Sequence, residues 1–212
     1  MKTLTLILSL IYLGSCAKLS TGSDSVTPTV SSEISECTTA STYTSPVTIT
    51  GTASFYNRGL VVSQGGGNVT SMILGAPTTT ALPIKYAEIK VLNSAGTIVQ
   101  CGQTNSAGAL KALDGSSALT IPNTAGTYSV QVLSRTNHTI SVGGHTSFTV
   151  YTSIKSDIYA NSVYTLTGSI TSTGSGSFST TLTAYARESQ SSEVNGGAFN
   201  ILNNIVTTYE YL

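Results

Sequence analysis

Apolar and polar positions alternate most clearly over residues 84–135, where the pattern predicts three consecutive strands. In the first of these strands every second residue is apolar and the residues between are polar or amphipathic, which is the period of a half-buried strand. Turn-forming Asn, Ser, Ala and Gly separate it from the next strand. The last strand alternates in the same way. The residues that we predict on the inward faces of the first and last of these strands are Ala87, Ile89, Val91, Tyr128, Val130 and Val132.

Alternation continues on both sides of this region and predicts an antiparallel β-sandwich. In the first further strand, Val47, Ile49, Ala53 and Phe55 share one face with Gly51. The last two segments are predicted to pair as a hairpin across a Thr-Gly-Ser-Gly turn. The further predicted strands are 47–56, 69–74, 145–153, 162–171 and 177–188.

The period changes at the end of the chain, where 198–212 has apolar residues at helical spacing. We predict one short C-terminal helix here, and its apolar stripe runs into Leu212. Two interpretations stay open: the helix docks on the sandwich, or the chain is a shortened form of a longer protein. The residues of the stripe are Phe199, Leu202, Ile205, Val206 and Tyr209.

The first residues predict export. Lys2, an apolar run over 4–13 and small residues before Cys16 form a secretory signal that is too short to span a bilayer. We therefore divide the chain into a signal peptide (1–15), a polar Ser/Thr-rich tether (16–42), a sandwich (43–155) and an added hairpin with the helix (156–212). This division treats the later strands as part of one continuous body.

The segment Leu13-Gly14-Ser15-Cys16 resembles the lipobox of bacterial lipoproteins. That resemblance implies cleavage before Cys16, lipidation of its sulfur and acylation of its new amino group, so that acyl chains anchor the protein in a membrane. Ala17 stands where Asp would signal inner-membrane retention, which favours the outer membrane, with the protein facing the periplasm or the cell surface. The alternative is a secreted protein with a cysteine near its cleavage site.

Charge excludes one class of partner. Nine basic and nine acidic residues give a formal net charge of zero, and charged residues make up 8% of the chain. Such a composition cannot neutralise a phosphate backbone, so we expect no nucleic acid partner.

Two further cysteines, Cys37 and Cys101, are candidates for a disulfide because an exported protein meets an oxidising environment. Cys101 is in phase with Val99 on its predicted strand, so we expect its sulfur to point inward. A bond would fasten the start of the globular region to the sandwich, and the alternative is two unpaired thiols.

Several turns resemble those of the carboxypeptidase regulatory-like, or transthyretin-like, domains over about residues 47–152. The matching segments are Ala87–Val91, Ser94-Ala95-Gly96, Gln103–Gly108 and Gly126–Val130. The resemblance implies an Ig-like or transthyretin-like β-sandwich that accompanies other domains, and it transfers no active-site residues. One departure is Ala109-Leu110-Lys111, where the family commonly has an aromatic residue. The segment Gly196–Ile201 is similar to one that follows such modules in large exported bacterial proteins, some with a peptidase domain.

Catalytic patterns are missing from the sequence. It contains no H-E-x-x-H, G-x-S-x-G or phosphate-loop motif, so we predict no catalytic residue, metal or cofactor. The three glycines from Gly65 are interpreted as a hairpin loop. His138 and His145 lie near a Gly-rich turn, where a surface position is the simpler explanation. The scattered acids, without calcium-loop spacing, are Glu88, Asp114, Asp157, Glu188 and Glu193.

Tyrosine is the prominent aromatic residue, with eleven copies and no tryptophan. Four tyrosines predicted on outward faces could form a surface that binds an envelope protein or a glycan, although exposed sheet faces often carry tyrosine without a ligand. We expect a non-catalytic envelope lipoprotein with a binding or structural module. The alternative is the accessory front portion of a secreted hydrolase or peptidase. The four residues are Tyr56, Tyr86, Tyr151 and Tyr185.

Overall fold

The structure is a computed structural model that describes residues 37–140, 148–156, 162–186 and 195–211. Within these residues the chain forms fifteen strands followed by one helix. In chain order the elements are β1 (Val47–Phe55), β2 (Arg58–Gly65), β3 (Asn68–Pro77), β4 (Leu82–Pro83), β5 (Glu88–Leu92), β6 (Ile98–Thr104), β7 (Leu110–Ala112), β8 (Leu119–Ile121), β9 (Ala125–Leu133), β10 (Arg135–Ile140), β11 (Phe148–Ser153), β12 (Lys155–Ser156), β13 (Ser162–Val163), β14 (Thr165–Thr173), β15 (Ser177–Ala184) and α1 (Asn195–Glu210).

Two sheets enclose one apolar core. The first sheet has the order β15-β1-β4, with β8 also paired to β1, and the second has the order β14-β9-β5-β6-β7. Buried residues from both sheets, including Ile49 of β1 and Ile89 of β5, belong to the same core cluster. The predicted all-β sandwich with a short C-terminal helix is confirmed.

The inward faces follow the alternation in the sequence. Val91 in β5 and Val130 in β9 lie opposite each other, because β5 is paired on one side with β6 and on the other with β9. The residues that the alternation assigned to the core in these strands are buried at 5% exposure or less: Ala87, Ile89, Val91, Tyr128, Val130 and Val132. Binary alternation therefore sets which face of each strand is covered.

The pairing between β1 and β15 is parallel, which differs from the wholly antiparallel sandwich that we predicted. It runs over eight residues of β1, while β4 and β8 pair antiparallel along the other side of β1. Gly51 lies opposite Thr180, and a Cβ at Gly51 would lie 1.7 Å from the Thr180 carbonyl oxygen. With φ at +135°, this position accepts only glycine. Alternation specifies the buried face but not the direction of the neighbouring strand.

The predicted hairpin of the last two strands is wrong. β14 pairs with β9 and β15 pairs with β1, so the turn at Gly174 and Gly176 carries the chain from one sheet to the other. Leu166 and Leu182 both face the core, and they can do so because their strands lie in opposite sheets. These strands are integral parts of both sheets, so the body continues through the domain boundary that we set at residue 155.

The segment 37–43 lies fastened against the second sheet, although we assigned residues up to 42 to the tether. The Gln100 side chain accepts a hydrogen bond from the Ser41 N–H (2.9 Å) and donates one to the Ser41 carbonyl (2.8 Å). The Tyr43 hydroxyl donates to the Val99 carbonyl. The sandwich body therefore includes residues 37–43.

A disulfide joins Cys37 to Cys101, with their Cα atoms 5.2 Å apart. Both residues are buried, but the expected inward direction of Cys101 is wrong, because Cys101 pairs with Lys90 on the outer face of the sheet. A register shift beside Val91 adds one residue to β6. This bulge interrupts the alternation along β6, so Cys101 does not point to the same face as Val99. The bond thus covers the outer face and does not enter the core.

We expect the double variant Cys37→Ser with Cys101→Ser to lose about 2–4 kcal/mol of unfolding free energy, because the bond closes a long loop in the unfolded chain. Urea unfolding measures this loss. The wild-type protein in reductant should match the variant, and the variant itself should not respond to reductant. Equal stability of oxidised wild type and variant would contradict the expectation.

Helix α1 packs its apolar stripe on the sandwich. Phe199, Leu202 and Val206 are fully buried, and the first two belong to the common core. Tyr209, which we placed in the same stripe, is 38% exposed. The helix also begins earlier than predicted, at Asn195, and in its first turn the backbone N–H of Gly196 donates to the Tyr185 carbonyl.

Gly196 marks the closest approach of the helix to the sandwich. A Cβ there would lie 2.8 Å from the Tyr56 carbonyl oxygen and 2.9 Å from that of Tyr185, whereas a Cβ at Gly197 would meet nothing within 4 Å. We expect Gly196→Ala to lower the unfolding free energy by about 1–3 kcal/mol through overpacking. Gly197→Ala should leave it unchanged or raise it by up to about 1 kcal/mol.

Urea denaturation of the two alanine variants measures these changes. Both substitutions add the same methyl group to neighbouring helical positions. Equal effects on the unfolding free energy would therefore show that the two nearby carbonyls do not disfavour a side chain at residue 196.

Candidate functional site

The feature that stands out from the sandwich is the hairpin of β2 and β3. Gly66 and Gly67 form its turn with φ values of +59° and +82°, the backbone conformation that a two-residue hairpin turn of type I′ requires. The three-glycine segment predicted as a hairpin loop thus closes a long hairpin. Among the described strands, β2 and β3 pair only with each other, so their outer edges carry no strand partner there.

Both faces of this hairpin are apolar. Val61 pairs with Ile73 on one face, and the pairs on either side point to the opposite face. The exposed fractions of these side chains run from 43% to 61%, which is unusual for a cluster of large aliphatic residues. We call this surface the apolar hairpin, and its residues are Leu60, Val61, Val62, Val69, Met72, Ile73 and Leu74.

Hydrogen bonds join the two strands at the base of the hairpin. The Arg58 guanidinium donates to the carbonyls of Gly75 (2.6 Å) and Leu74 (3.3 Å). The Thr78 N–H donates to the Asn57 carbonyl (2.8 Å), and the Asn57 N–H donates back to the Thr78 hydroxyl (3.2 Å). An isolated two-stranded hairpin is marginally stable in water, so these bonds help to keep the two strands paired.

Charge is missing along the whole hairpin beyond its base. No residue from Gly59 to Pro77 is ionisable. Natural sheets usually protect exposed edges with charged residues or proline, and here the single proline lies at the base, at Pro77. An apolar, uncharged hairpin with unprotected edges is therefore suited to contact with another macromolecule.

Sequence reasoning found β3 as an isolated strand and missed β2. The signal was present: two apolar runs, Leu60–Val62 and Met72–Leu74, lie on either side of the glycine turn. Both faces of the hairpin are apolar, so neither run alternates between apolar and polar residues. The pattern of a half-buried strand is therefore missing from the first run.

The four tyrosines predicted as one binding surface fall into different surroundings. Tyr56 and Tyr185 stack on each other with ring centroids 5.6 Å apart. Tyr86 instead stacks on His138 at 3.8 Å, and Tyr151 lies across from Asn137 with 70% of its surface exposed. The ring contacts thus divide the tyrosines and do not support a single aromatic platform.

Tyr86 belongs to a cluster that connects the second sheet to α1. Its hydroxyl donates to Glu210 (3.0 Å), the Lys85 ammonium bonds to the same carboxylate (3.0 Å), and the Lys85 N–H donates to Asn203 (3.1 Å). Burial and the Glu210 carboxylate raise the pKa of Tyr86. Tyr86 is in the left-handed region at φ +52°, and its carbonyl accepts the Thr136 hydroxyl (2.5 Å). These contacts fix the last turn of the helix.

Burial against Tyr86 lowers the pKa of His138, and the negative charge of Glu210 opposes this shift. Neutral His138 therefore favours the folded state. The unfolded chain binds the proton more readily, so stability is lost as the pH falls through the ordinary histidine pKa of about 6.5. Tyr86, which stacks on His138, has a raised pKa and keeps its proton across this window.

We expect the unfolding free energy of the wild type to decrease from pH 7.5 to pH 5.0. His138→Phe keeps a ring against Tyr86 but cannot titrate, so its decrease over the same interval should be smaller. Urea unfolding at both pH values measures the difference. Parallel pH profiles for the two proteins would mean that His138 does not couple protonation to folding here.

The other charged candidates have structural roles where they are described. Glu88 is 4% exposed on the outer face of β5 and forms a bidentate ion pair with Arg135, at 2.5 and 2.8 Å. Asp114 accepts the N–H groups of Ser116 and Ser117 in a turn, and these bonds with the Ser117 hydroxyl lower its pKa to about 2. No group of three or more His, Cys, Asp and Glu residues among the described positions could hold a metal ion.

Several sequence candidates lie outside the described residues. They include Cys16 with the predicted lipobox, and the four side chains His145, Asp157, Glu188 and Glu193.

A second surface feature is a groove of about 250 Å³ between the edges of β14 and β15. Thr165, Thr167, Thr181 and Thr183 line it, with Leu166 and Leu182 beside them. Its hydroxyl groups offer hydrogen bonds, but it has neither a charge nor an exposed apolar anchor. The apolar hairpin is the stronger candidate site.

No family model, curated protein or solved structure matches this chain. In the described part, no helix has the length and apolar character needed to cross a bilayer. The geometry of the sandwich and its hairpin is therefore the basis for assigning a function.

Proposed function

We propose that this protein is a non-catalytic cell-envelope lipoprotein whose β-sandwich presents the apolar hairpin as a binding surface. Cys16 anchors the chain in the outer membrane, and the polar segment after it separates the body from the bilayer. The observation that carries the proposal is the exposure of seven large aliphatic side chains on one hairpin. Monomeric soluble proteins rarely expose so large a contiguous apolar surface unless it serves an interaction.

The surroundings of the hairpin support a binding role. The base hydrogen bonds of Arg58 and Asn57 keep its two strands together, and the Cys37–Cys101 disulfide fastens the start of the body that carries it. A surface whose strands are paired before contact loses less conformational entropy on binding. Aliphatic side chains without nearby charges suit a protein surface better than a glycan, since sugars are bound through hydrogen bonds and aromatic faces.

Fatty-acid labelling tests the anchor. Cells that express the wild-type chain should incorporate a fatty-acid analogue into the protein and retain it in the outer-membrane fraction. Cys16→Ala should lose the label and leave that fraction, because it lacks the sulfur that carries the lipid. Unlabelled wild type, secreted to the same extent as the variant, would overturn the proposed localisation.

Crosslinking in intact envelopes tests the binding surface. A photoreactive residue at Ser71, between the apolar positions of β3, should crosslink to a protein of the envelope. Adding Met72→Lys and Ile73→Lys should reduce this product at least tenfold, because contact would bury two charges. A matched probe at Thr208, an exposed position of α1, gives the background level of crosslinking. If the Ser71 probe yields no product above that background, the hairpin does not bind proteins.

A further inference from the structure

We infer that the partner of the apolar hairpin is a second copy of this chain, so that the protein associates with itself through β2 and β3. This inference names the partner of the binding surface proposed above and rests on that proposal. Its basis is the composition of the hairpin, the apolar area that it exposes and its free edges.

The area fits an interface between proteins. Seven aliphatic side chains, each about half exposed, leave on the order of 600 Å² of apolar surface on each copy, the upper end for the largest patch of a monomer. One partner of a standard protein interface contributes roughly 800 Å². This surface is divided between the two faces of the hairpin, so a contact through one face forms a small interface and leaves the second face able to bind a further copy.

Symmetry favours a copy over a different protein. In a two-fold contact the same surface patch of both copies takes part, so a patch of one charge would meet an identical patch and be repelled. The hairpin has no ionisable residue from Gly59 to Pro77, and nothing in it repels an identical hairpin. It also lacks the charges by which a different protein would be selected.

The strand edges favour association with protein over insertion in lipid. The outer edges of β2 and β3 have no strand partner in the described part of the chain. In hydrocarbon their backbone groups would stay unsatisfied at a cost of several kcal/mol each. A second hairpin can supply the missing hydrogen bonds and cover the apolar faces together. Anchoring of all copies in one membrane would also raise their local concentration.

Sedimentation velocity of the full chain carrying Cys16→Ala tests the inference without a contribution from lipid. We expect dimers or larger species whose fraction rises with concentration between about 1 and 200 µM, the range for a modest apolar interface. Met72→Lys and Ile73→Lys place a charge on opposite faces of the hairpin. Each should prevent association through its own face and so limit the protein to dimers, and together they should give a monomer.

Ile201→Lys is the matched control, because Ile201 is 50% exposed on α1 and Ile73 is 59% exposed on the hairpin. It should associate like the parent protein. Urea unfolding checks that all variants stay folded, which we expect because none of the three side chains lies in the core.

Three outcomes overturn the inference. The first is a monomer at every concentration, and the second is an equal loss of association in Ile201→Lys. The third is a parent protein that is monomeric in solution but floats with phosphatidylethanolamine–phosphatidylglycerol vesicles in a Met72-dependent way, which assigns the hairpin to lipid. A monomer that still crosslinks to another envelope protein through Ser71 removes self-association alone and leaves the proposed function in place.

Discussion

The parallel pairing of β1 with β15 is the interaction on which the rest of the structure depends. It joins the first and last strands of the sandwich, and it is possible because Gly51 lets the Thr180 carbonyl approach. The Tyr56 N–H continues the ladder to the Ala184 carbonyl, at 2.9 Å. Immediately after this point the chain leaves β1 for the hairpin. The apolar hairpin therefore leaves the body directly after the ladder that closes the core.

Two pairs of charged residues connect separate elements of the fold. Arg135 satisfies the buried carboxylate of Glu88, and removal of one partner from such a pair is costly because the other charge stays buried. Lys85 and Tyr86 bind Glu210 and thereby hold the end of α1. The hairpin receives none of these charges beyond its base. Four of the charged residues that the structure describes thus connect elements of the body, whereas the hairpin beyond Arg58 stays apolar.

This distribution connects stability with function. The sandwich, its disulfide and α1 bury their apolar residues, whereas the hairpin exposes Met72 and Ile73 at 59% each. Exposed aliphatic surface lowers solubility unless a partner covers it. The body can carry such a surface because no residue of β2 or β3 belongs to its core cluster.

The sequence by itself determined which residues face the core and where the helix lies. Alternation identified the buried faces of β1, β5 and β9, and helical spacing identified Phe199, Leu202 and Val206. It also offered Cys37 and Cys101 as candidates for the bond that the structure contains. These features are local, since the side-chain period of a strand or helix is written in consecutive residues.

Only the tertiary structure decided which strands meet. The predicted pairing of the last two strands, the inward direction of Cys101 and the single tyrosine surface all depended on neighbours that are distant in sequence. The exposure of the hairpin depended on them too, because Leu60 and Leu74 would be core residues if another sheet covered them. Local periodicity carries no information about strand order, strand direction or what covers a face, and the packing of the whole chain settles all three.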